Sequence, residues 1–225
     1  DVPPTSNANY AWILNMVSKL SSNGVAGFIL ANGALSADGT EGEIRRKMIE
    51  RGLVEAIVIL PRNLFYSTDI SVTLWILNAN KKARIVHRNG EEIHYRDREK
   101  EILFIDMRQM GEPFEKKYVR FTDEDICKVA DAYHNWQREG HTETYTDIPE
   151  FCKSVSVGED GGIADKGFSL VPSKYIEFVN RDESVDYDIR MKELQLELAD
   201  ILRQEAKSRE SVLNVFKSLG YEIEL

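Results

Sequence analysis

The stretch VILPRNLFYSTDISVTLWILN, residues 58–78, decides the fold of this chain. Its two apolar runs, residues 57–60 and 72–77, are rich in the β-branched and aromatic residues typical of buried strands. Pro61 ends the first run, and the polar loop after it carries an aromatic pair, Phe65 and Tyr66. A tight hairpin needs only two loop residues, so this longer loop on a rigid sheet is a candidate binding loop.

The residues before this stretch predict an alternation of helices and strands. Apolar residues at helical spacing predict helices over 6–22 and 39–52, and short apolar runs predict strands over 24–30 and 53–60. The strand over 71–78 should run antiparallel to its predecessor, because a parallel crossover needs a dozen residues or more. The expected fold class is therefore α/β, with a mainly parallel sheet that ends in one antiparallel strand.

The residues after this stretch predict additions to that sheet and then a helical tail. The expected elements are a hairpin over 84–95 turned at Asn89-Gly90, a strand over 102–106, a helix over 122–139 opened by a capping box, a turn-rich segment over 140–185 and a helix from 186. The expected domains are accordingly residues 1–110, a mixed extension over 111–185 and a helical region over 186–225.

The terminal helix carries an apolar seam at alternating steps of four and three residues. Its first members are Tyr187, Met191, Leu194, Leu198 and Ile201. Such a seam is typical of a helix that packs on another helix. Two interpretations stay open, namely docking on the chain's own domain and contact with a partner protein.

Composition and charge exclude several classes of protein. A formal charge of −9 argues against a freestanding nucleic-acid binder, although a partner could supply positive charge in a larger complex. Cys127 and Cys152 stand far apart without metal-binding spacing, which favours reduced thiols in a cytoplasmic protein. No apolar run is long enough to predict a membrane span. Because the sequence opens at Asp1 rather than Met, we expect a fragment or processed product.

The residue chemistry contains no complete active site. Glycine-rich phosphate loops, nucleophile elbows and histidine pairs at metal-ligand spacing do not occur, so we expect neither a metal nor catalytic residues. The basic cluster of Lys116, Lys117 and Arg120 fits an ordinary solvated surface. Phe65 and Tyr66 are either packed onto the sheet edge or form an aromatic wall that stacks on a flat ligand such as a base.

The order of segments resembles the modification subunit of type I restriction–modification systems. The resemblance rests on NANYAWILNMVSKLSSNGVAGFILANGALS (residues 7–36), EGEIRRKMIERGLVEAIVILPRNLFYSTDISVTLWILNANK (residues 41–81) and, more weakly, FSLVPSKYIEF (residues 168–178). These subunits are S-adenosylmethionine-dependent methyltransferases that act on the amino group of adenine in DNA. The resemblance implies a Rossmann-like sheet whose last three strands are residues 25–30, 53–60 and 71–78.

The resemblance also implies a role for the loop and a set of partners. The family's base-contacting aromatic matches Phe65, with Tyr66 beside it, and holds an adenine flipped out of the duplex. The implied partners are a DNA-specificity subunit, a second modification subunit, a restriction subunit and double-stranded DNA bound through the complex. The family's Phe-x-Gly-x-Gly loop and Asn-Pro-Pro-Phe motif are missing from these residues. The chain therefore resembles the carboxyl-terminal part of such a subunit and is expected to be inactive alone, without tight binding of S-adenosylmethionine.

Two other interpretations remain open on the sequence. One is a non-catalytic interaction module derived from a methyltransferase, which would use the terminal helix to bind a partner protein. The other is a methyltransferase-like fragment that acts on RNA. The motifs encoded upstream of Asp1 would separate the enzyme from the interaction module.

Overall fold

A computed structural model describes residues 2–158, 160–179 and 187–220, and its side chains over the same ranges except 187–190. The chain forms two compact units, Asp1–Phe178 and Val179–Leu225. The first unit contains α1 (Asn9–Lys19), β1 (Val25–Ala31), α2 (Gly39–Glu50), β2 (Val54–Ile59), β3 (Val72–Asn78), β4 (Arg84–Arg88), β5 (Glu91–Tyr95), β6 (Glu101–Asp106), β7 (Glu112–Phe114), β8 (Tyr118–Arg120), α3 (Asp123–Gln137) and β9 (Cys152–Ser156). The second contains α4 (Tyr187–Ser218).

The central sheet has the strand order β1-β3-β2-β6-β9. As predicted, β3 runs antiparallel to β2, with Ile57 opposite Trp75. The expectation of a mainly parallel sheet ending in β3 is wrong, because β3 lies between β1 and β2 and pairs antiparallel with both. Among the strands that the structure describes, only β2 and β6 pair in parallel, and β9 pairs antiparallel with β6. The short loop before β3 is enough to predict the direction of this strand. The place of β3 in the strand order depends instead on contacts between residues that are distant in sequence.

Apolar side chains cover both faces of the sheet. One face packs against α1 and α2, where Tyr10 donates a hydrogen bond to the Ala34 carbonyl at 2.6 Å and Phe28 stacks on Trp75. The other face packs against α3 through the fully buried Trp136. Because both faces are covered, all six residues of β2 are buried, as expected for a strand in the middle of a layered fold.

The helix α3 begins at the predicted capping box. Thr122 accepts a hydrogen bond from the Asp125 amide, and the Asp125 carboxylate accepts one from the Thr122 amide. These two contacts satisfy amide groups that the first turn of a helix leaves unpaired. Within α3, Trp136 is fully buried whereas Ile126 is exposed. Ile126 lies in the first turn of α3, where helical periodicity alone does not determine burial.

A buried polar cluster joins β2, β3, α3 and the segment after β5. One oxygen of Glu55 accepts hydrogen bonds from Arg98 and Gln137, and the other accepts from Asn78 and Tyr133. Both Glu55 and Arg98 have fully buried side chains. A buried charge pair is tolerated only when its remaining polar atoms are also satisfied. The sequence analysis missed this cluster, because its members are up to 82 residues apart.

Lys81 lies beside the same cluster and is almost fully buried. Its ammonium donates to the Val54 carbonyl at 2.8 Å and to the Glu101 carbonyl at 2.7 Å. Burial lowers the pKa of Lys81 to about 8, although the nearby Glu55 carboxylate acts in the opposite direction. Lys81 lies in the segment after β3, and its side chain therefore links β2 to β6.

The second unit is the long helix α4. It spans 32 residues, and from Met191 onward its seam side chains are exposed, including Leu194, Leu198 and Ile201. The backbone of Tyr187 begins the helix, and the side chain of this residue lies outside the described part of the chain. Among the described residues, no helix has both the length and the apolarity needed to cross a membrane.

The structure adds one fact about the predicted domains. The strand β9 pairs with β6, so residues on both sides of the expected boundary at 110 share one sheet. A functional division into residues 1–110, 111–185 and 186–225 remains a prediction.

Candidate functional site

The candidate site lies at the carboxyl edge of the central sheet. β1 and β2 run in the same direction, because both are antiparallel to β3, and β6 is parallel to β2. The segments that follow these three strands therefore leave the sheet at one edge. Ligands of open α/β sheets bind beyond the carboxyl ends of the strands. The loop with the aromatic pair, residues 61–71 (the aromatic loop), is one of these segments.

Hydrogen bonds close the base of the aromatic loop. The Ser71 hydroxyl donates to the Leu60 carbonyl at 2.6 Å, and the Leu60 amide donates to the Val72 carbonyl at 2.9 Å. The Thr73 hydroxyl donates to Asn32 Oδ1 at 2.5 Å, which ties the end of β1 to the same place. The sequence analysis missed Ser71 and Thr73, because isolated hydroxyl residues carry no motif. A loop with a closed base holds its side chains at a defined position.

The two aromatic side chains of the loop have different surroundings. Phe65 is half-buried and packs against the apolar cluster that contains Leu60 and Val72. Tyr66 is 70% exposed, and its ring contacts the Tyr118 ring edge-on at a centroid distance of 4.7 Å. Phe65 thus has contacts that fit the packing interpretation while one side remains accessible, and Tyr66 is open to solvent. Both predicted uses of the pair remain predictions.

A short antiparallel ribbon, β7 and β8 with the turn between them (residues 112–120, the basic ribbon), stands beside the aromatic loop. The Val119 amide donates to the Asn63 carbonyl at 3.0 Å. The turn of the ribbon carries Lys116 and Lys117, which belong to the cluster that the sequence analysis interpreted as a solvated surface. Sequence reasoning did not predict the ribbon, since strands of three residues are too short to produce a periodic pattern.

Asp106, an acidic residue at the carboxyl edge of the sheet, forms an ion pair with an arginine. Asp106, the last residue of β6, accepts hydrogen bonds from the Arg108 guanidinium at 2.6 and 3.0 Å. The hydrogen bonds with the Asp106 carboxylate raise the pKa of Arg108. Since Asp106 is mostly buried and bound on both oxygens, it is not available as a general base.

A cleft of about 450 Å³ lies elsewhere, away from the aromatic loop. Its walls come from residues 135–145 together with Arg96, Glu101 and Ser154, and the aromatic loop contributes no residue to it. Burial raises the pKa of Glu101, but hydrogen bonds from Arg96 and Ser154 bring it below the ordinary value. No group of three or more acidic, cysteine or histidine residues in the described part of the chain could hold a metal ion.

Comparison with known proteins identifies the family of this chain. The family model of N-6 DNA methylases matches residues 1–184. The chain belongs to this family. The methylase subunit of the type I restriction enzyme HindI from Haemophilus influenzae is 36% identical over 222 residues, and the MjaIX methylase subunit from Methanocaldococcus jannaschii is 34% identical over 220 residues. The resemblance noted in the sequence is therefore confirmed.

The chain corresponds to part of these relatives. It is aligned over 98% of its own length but over 45% of the HindI subunit and 36% of the MjaIX subunit. Among solved structures, the type I methyltransferase subunit from Streptococcus thermophilus matches with a TM-score of 0.63 and 26% identity. That match covers 79% of this chain and 32% of the other. A structure of a type I restriction–modification complex matches with a TM-score of 0.52 and 18% identity, which supports the fold alone.

Proposed function

We propose that this chain is part of a DNA adenine methyltransferase subunit of a type I restriction–modification system, to which it contributes the target-base loop. The observation that carries the proposal is the aromatic loop at the carboxyl edge of β2 in a member of the N-6 DNA methylase family. The curated relatives are methylase subunits of type I restriction enzymes.

We further propose that residues 1–110 form the carboxyl-terminal half of a Rossmann-like methyltransferase sheet. Within the described residues β1 pairs only with β3, which leaves its other edge unpaired. Val25 and Ile29 on β1 are 56% and 46% exposed, and Trp12 on α1 is 64% exposed. An unpaired strand edge with exposed apolar side chains is a surface that proteins normally cover. The remaining strands of such a sheet would cover it.

In this proposal Phe65 holds a flipped adenine. Extrusion of a base from the duplex costs a few kcal/mol, and stacking on an aromatic side chain helps to recover that cost. The closed base of the aromatic loop and the packing of one side of Phe65 against the core support this role, because both limit the movement of its ring. Tyr66, which is more exposed, would contact the neighbouring part of the substrate.

The described residues do not fit the methyl donor, S-adenosylmethionine. Asp106 ends β6 at the carboxyl edge, and Arg108 occupies both of its oxygens. The Asn-Pro-Pro-Phe motif is also missing from these residues. We therefore assign donor binding and the catalytic groups to other parts of a complete subunit.

This assignment predicts that the chain alone neither binds S-adenosylmethionine tightly nor methylates DNA. Isothermal titration of the purified chain should give no binding heat at micromolar concentrations, and a methyl-transfer assay should give no product. A complete subunit that carries this chain, assembled with its specificity subunit, should bind the donor and methylate adenine. Micromolar binding by the chain alone would contradict the assignment.

We also propose that α4 binds the DNA-specificity subunit, through which the complex contacts double-stranded DNA. Its seam side chains, among them Met191, Leu194, Leu198 and Ile201, are exposed at heptad spacing. An exposed heptad seam fits a complementary helix. A second modification subunit and a restriction subunit would join the same complex. We place this complex in the cytoplasm, because a reducing compartment keeps cysteines such as the two free ones of this chain reduced.

Leu194→Asp combined with Leu198→Asp should abolish copurification with the specificity subunit, because it places two charges in the seam. Leu196→Asp is the matched control, since residue 196 lies on the opposite side of the helix from both positions and its side chain is 72% exposed. That control should leave the complex intact. Circular dichroism must show equal helix content in all variants. A complex retained by the double variant would rule out this role for α4.

The alternative, a non-catalytic interaction module, shares the α4 surface but has no use for Phe65. A methyl-transfer assay on the complete assembly therefore distinguishes the methyltransferase subunit from the interaction module. If the assembly binds its partner but transfers no methyl group to DNA, the interaction module is the better description. Transfer to RNA in place of DNA would favour the RNA alternative.

A further inference from the structure

The basic ribbon and the aromatic loop leave the sheet side by side. Ile59 at the end of β2 pairs in parallel with Asp106 at the end of β6. The aromatic loop follows the first of these strands, and the basic ribbon follows the second within a few residues. The Met107 amide also donates to the Ile59 carbonyl at 2.9 Å, which extends the pairing to the start of the ribbon. The topology thus places the ribbon next to the proposed target-base loop.

Specific contacts hold the ribbon against the loop. Besides the hydrogen bond from Val119 to Asn63, the Tyr118 ring meets the Tyr66 ring at 71°. At the foot of the ribbon Gly111 has φ +94, and a Cβ there would lie 2.6 Å from Val119 Cγ1. Only glycine suits this position, since a side chain would push β8 away. The ribbon is therefore held against the loop by a main-chain hydrogen bond and a ring contact.

The charges on the ribbon are distributed unevenly. Arg120 at its base pairs with Glu112 at 2.7 Å, and Arg62 in the aromatic loop pairs with Asp69 at 3.6 Å. Lys116 and Lys117 at the turn are exposed and have no carboxylate within ion-pair distance in the described part of the chain. The Lys117 ammonium lies 5.2 Å from the centre of the Tyr118 ring. The cations without an ion-pair partner are thus at the turn of the ribbon, where Glu115 is the adjacent acidic residue in sequence.

We propose that the basic ribbon binds the DNA backbone beside the flipped adenine, with Lys116 and Lys117 contacting phosphates. The inference rests on the proposed function and adds to it a DNA contact made by this chain itself. Phosphate contacts fix the position of a protein on the duplex without reading its sequence. In this arrangement Tyr118 is a positioning residue, because it holds Tyr66 next to the lysines.

A DNA contact is favoured over an acidic protein partner by the position of the ribbon. The whole chain carries a formal charge of −9, so it repels a polyanion except where cations are exposed. The two free lysines lie beside the loop proposed to hold the base. A phosphate of the same strand would pass there when the base is extruded.

The test uses a complete modification subunit carrying this chain, assembled with its specificity subunit. Lys116→Ala with Lys117→Ala is compared with Lys19→Ala with Lys100→Ala, which removes two exposed lysines outside the ribbon. DNA affinity is measured on a duplex with the recognition site over a series of salt concentrations. The slope of log K against log salt is negative, and each lost phosphate contact should reduce its magnitude by about 0.9, so the ribbon variant should have a slope about 2 less negative than the wild type. The control should keep the wild-type slope, and Lys116→Arg with Lys117→Arg should largely restore it.

The outcomes distinguish this inference from the function on which it rests. If the wild-type assembly transfers no methyl group to DNA, the proposed function fails. If it does, and the ribbon variant has the same salt slope as the control, the ribbon contact is wrong while the proposed function stands. Loss of the specificity subunit from the ribbon variant would assign these lysines to a protein interface and would also overturn the DNA contact.

Discussion

Phe65→Ala in a complete subunit carrying this chain is expected to reduce methyl transfer to adenine by roughly one to two orders of magnitude. Stacking of a base on an aromatic side chain contributes about 1–3 kcal/mol, and each 1.4 kcal/mol corresponds to a factor of ten. The measurement is the single-turnover rate of methyl transfer to a duplex with the recognition site. We expect only a small change in the yield of the complex with the specificity subunit.

Phe65→Leu separates stacking from packing. Phe65 packs one side against the apolar cluster around Leu60 and Val72, and leucine restores most of that contact without an aromatic ring. If Phe65 stacks on adenine, the leucine variant should regain thermal stability but remain slow in methyl transfer. If instead leucine restores the rate together with the stability, Phe65 serves packing alone.

Arg98→Met is expected to lower the free energy of unfolding by about 3–5 kcal/mol. Removal of one partner from a buried ion pair leaves the other charge without compensation in a low-dielectric site. Both side chains of the Arg98–Glu55 pair are fully buried. Arg98 also donates to the main-chain carbonyls of Arg96 and Gln137, so its loss frees further buried acceptors. Denaturant unfolding of the purified chain, followed by tryptophan fluorescence, measures the change.

Lys82→Met is the matched control for that experiment. Lys82 pairs with Glu99 at 3.9 Å, and both side chains are largely exposed. Exposed ion pairs contribute about 0–1 kcal/mol, so this variant should unfold close to the wild-type midpoint. Equal effects of the two substitutions would show that the buried cluster around Glu55 does not stabilise the fold.

Several elements could be predicted because their signals are local. The capping box at Thr122 and Asp125 predicts the start of α3, and hydrophobic periodicity predicts α1 and α2 to within a few residues. The turn at Asn89-Gly90 was also predicted, and both residues adopt positive φ, 55° and 84°. In each case the residues that determine the conformation lie within a few positions of one another.

The candidate site was predictable only in part. The aromatic pair stood out because apolar residues in a polar loop are unusual, but the different surroundings of Phe65 and Tyr66 were not visible. The basic ribbon was missed as a structure, since its position depends on Val119 bonding to Asn63, which is 56 residues earlier.

By itself the sequence determined the helices α1 to α4 and the strands β1 to β6, the antiparallel direction of β3, the aromatic content of the loop after β2 and the family of the chain. Only the tertiary structure decided that β3 lies between β1 and β2, that Glu55 and Arg98 form a buried pair, and that the basic ribbon stands against the aromatic loop. The physical reason is the range of the interactions. Helix periodicity, caps and turns act between near neighbours in the chain, whereas strand order and buried charge pairing act between residues that meet only after folding.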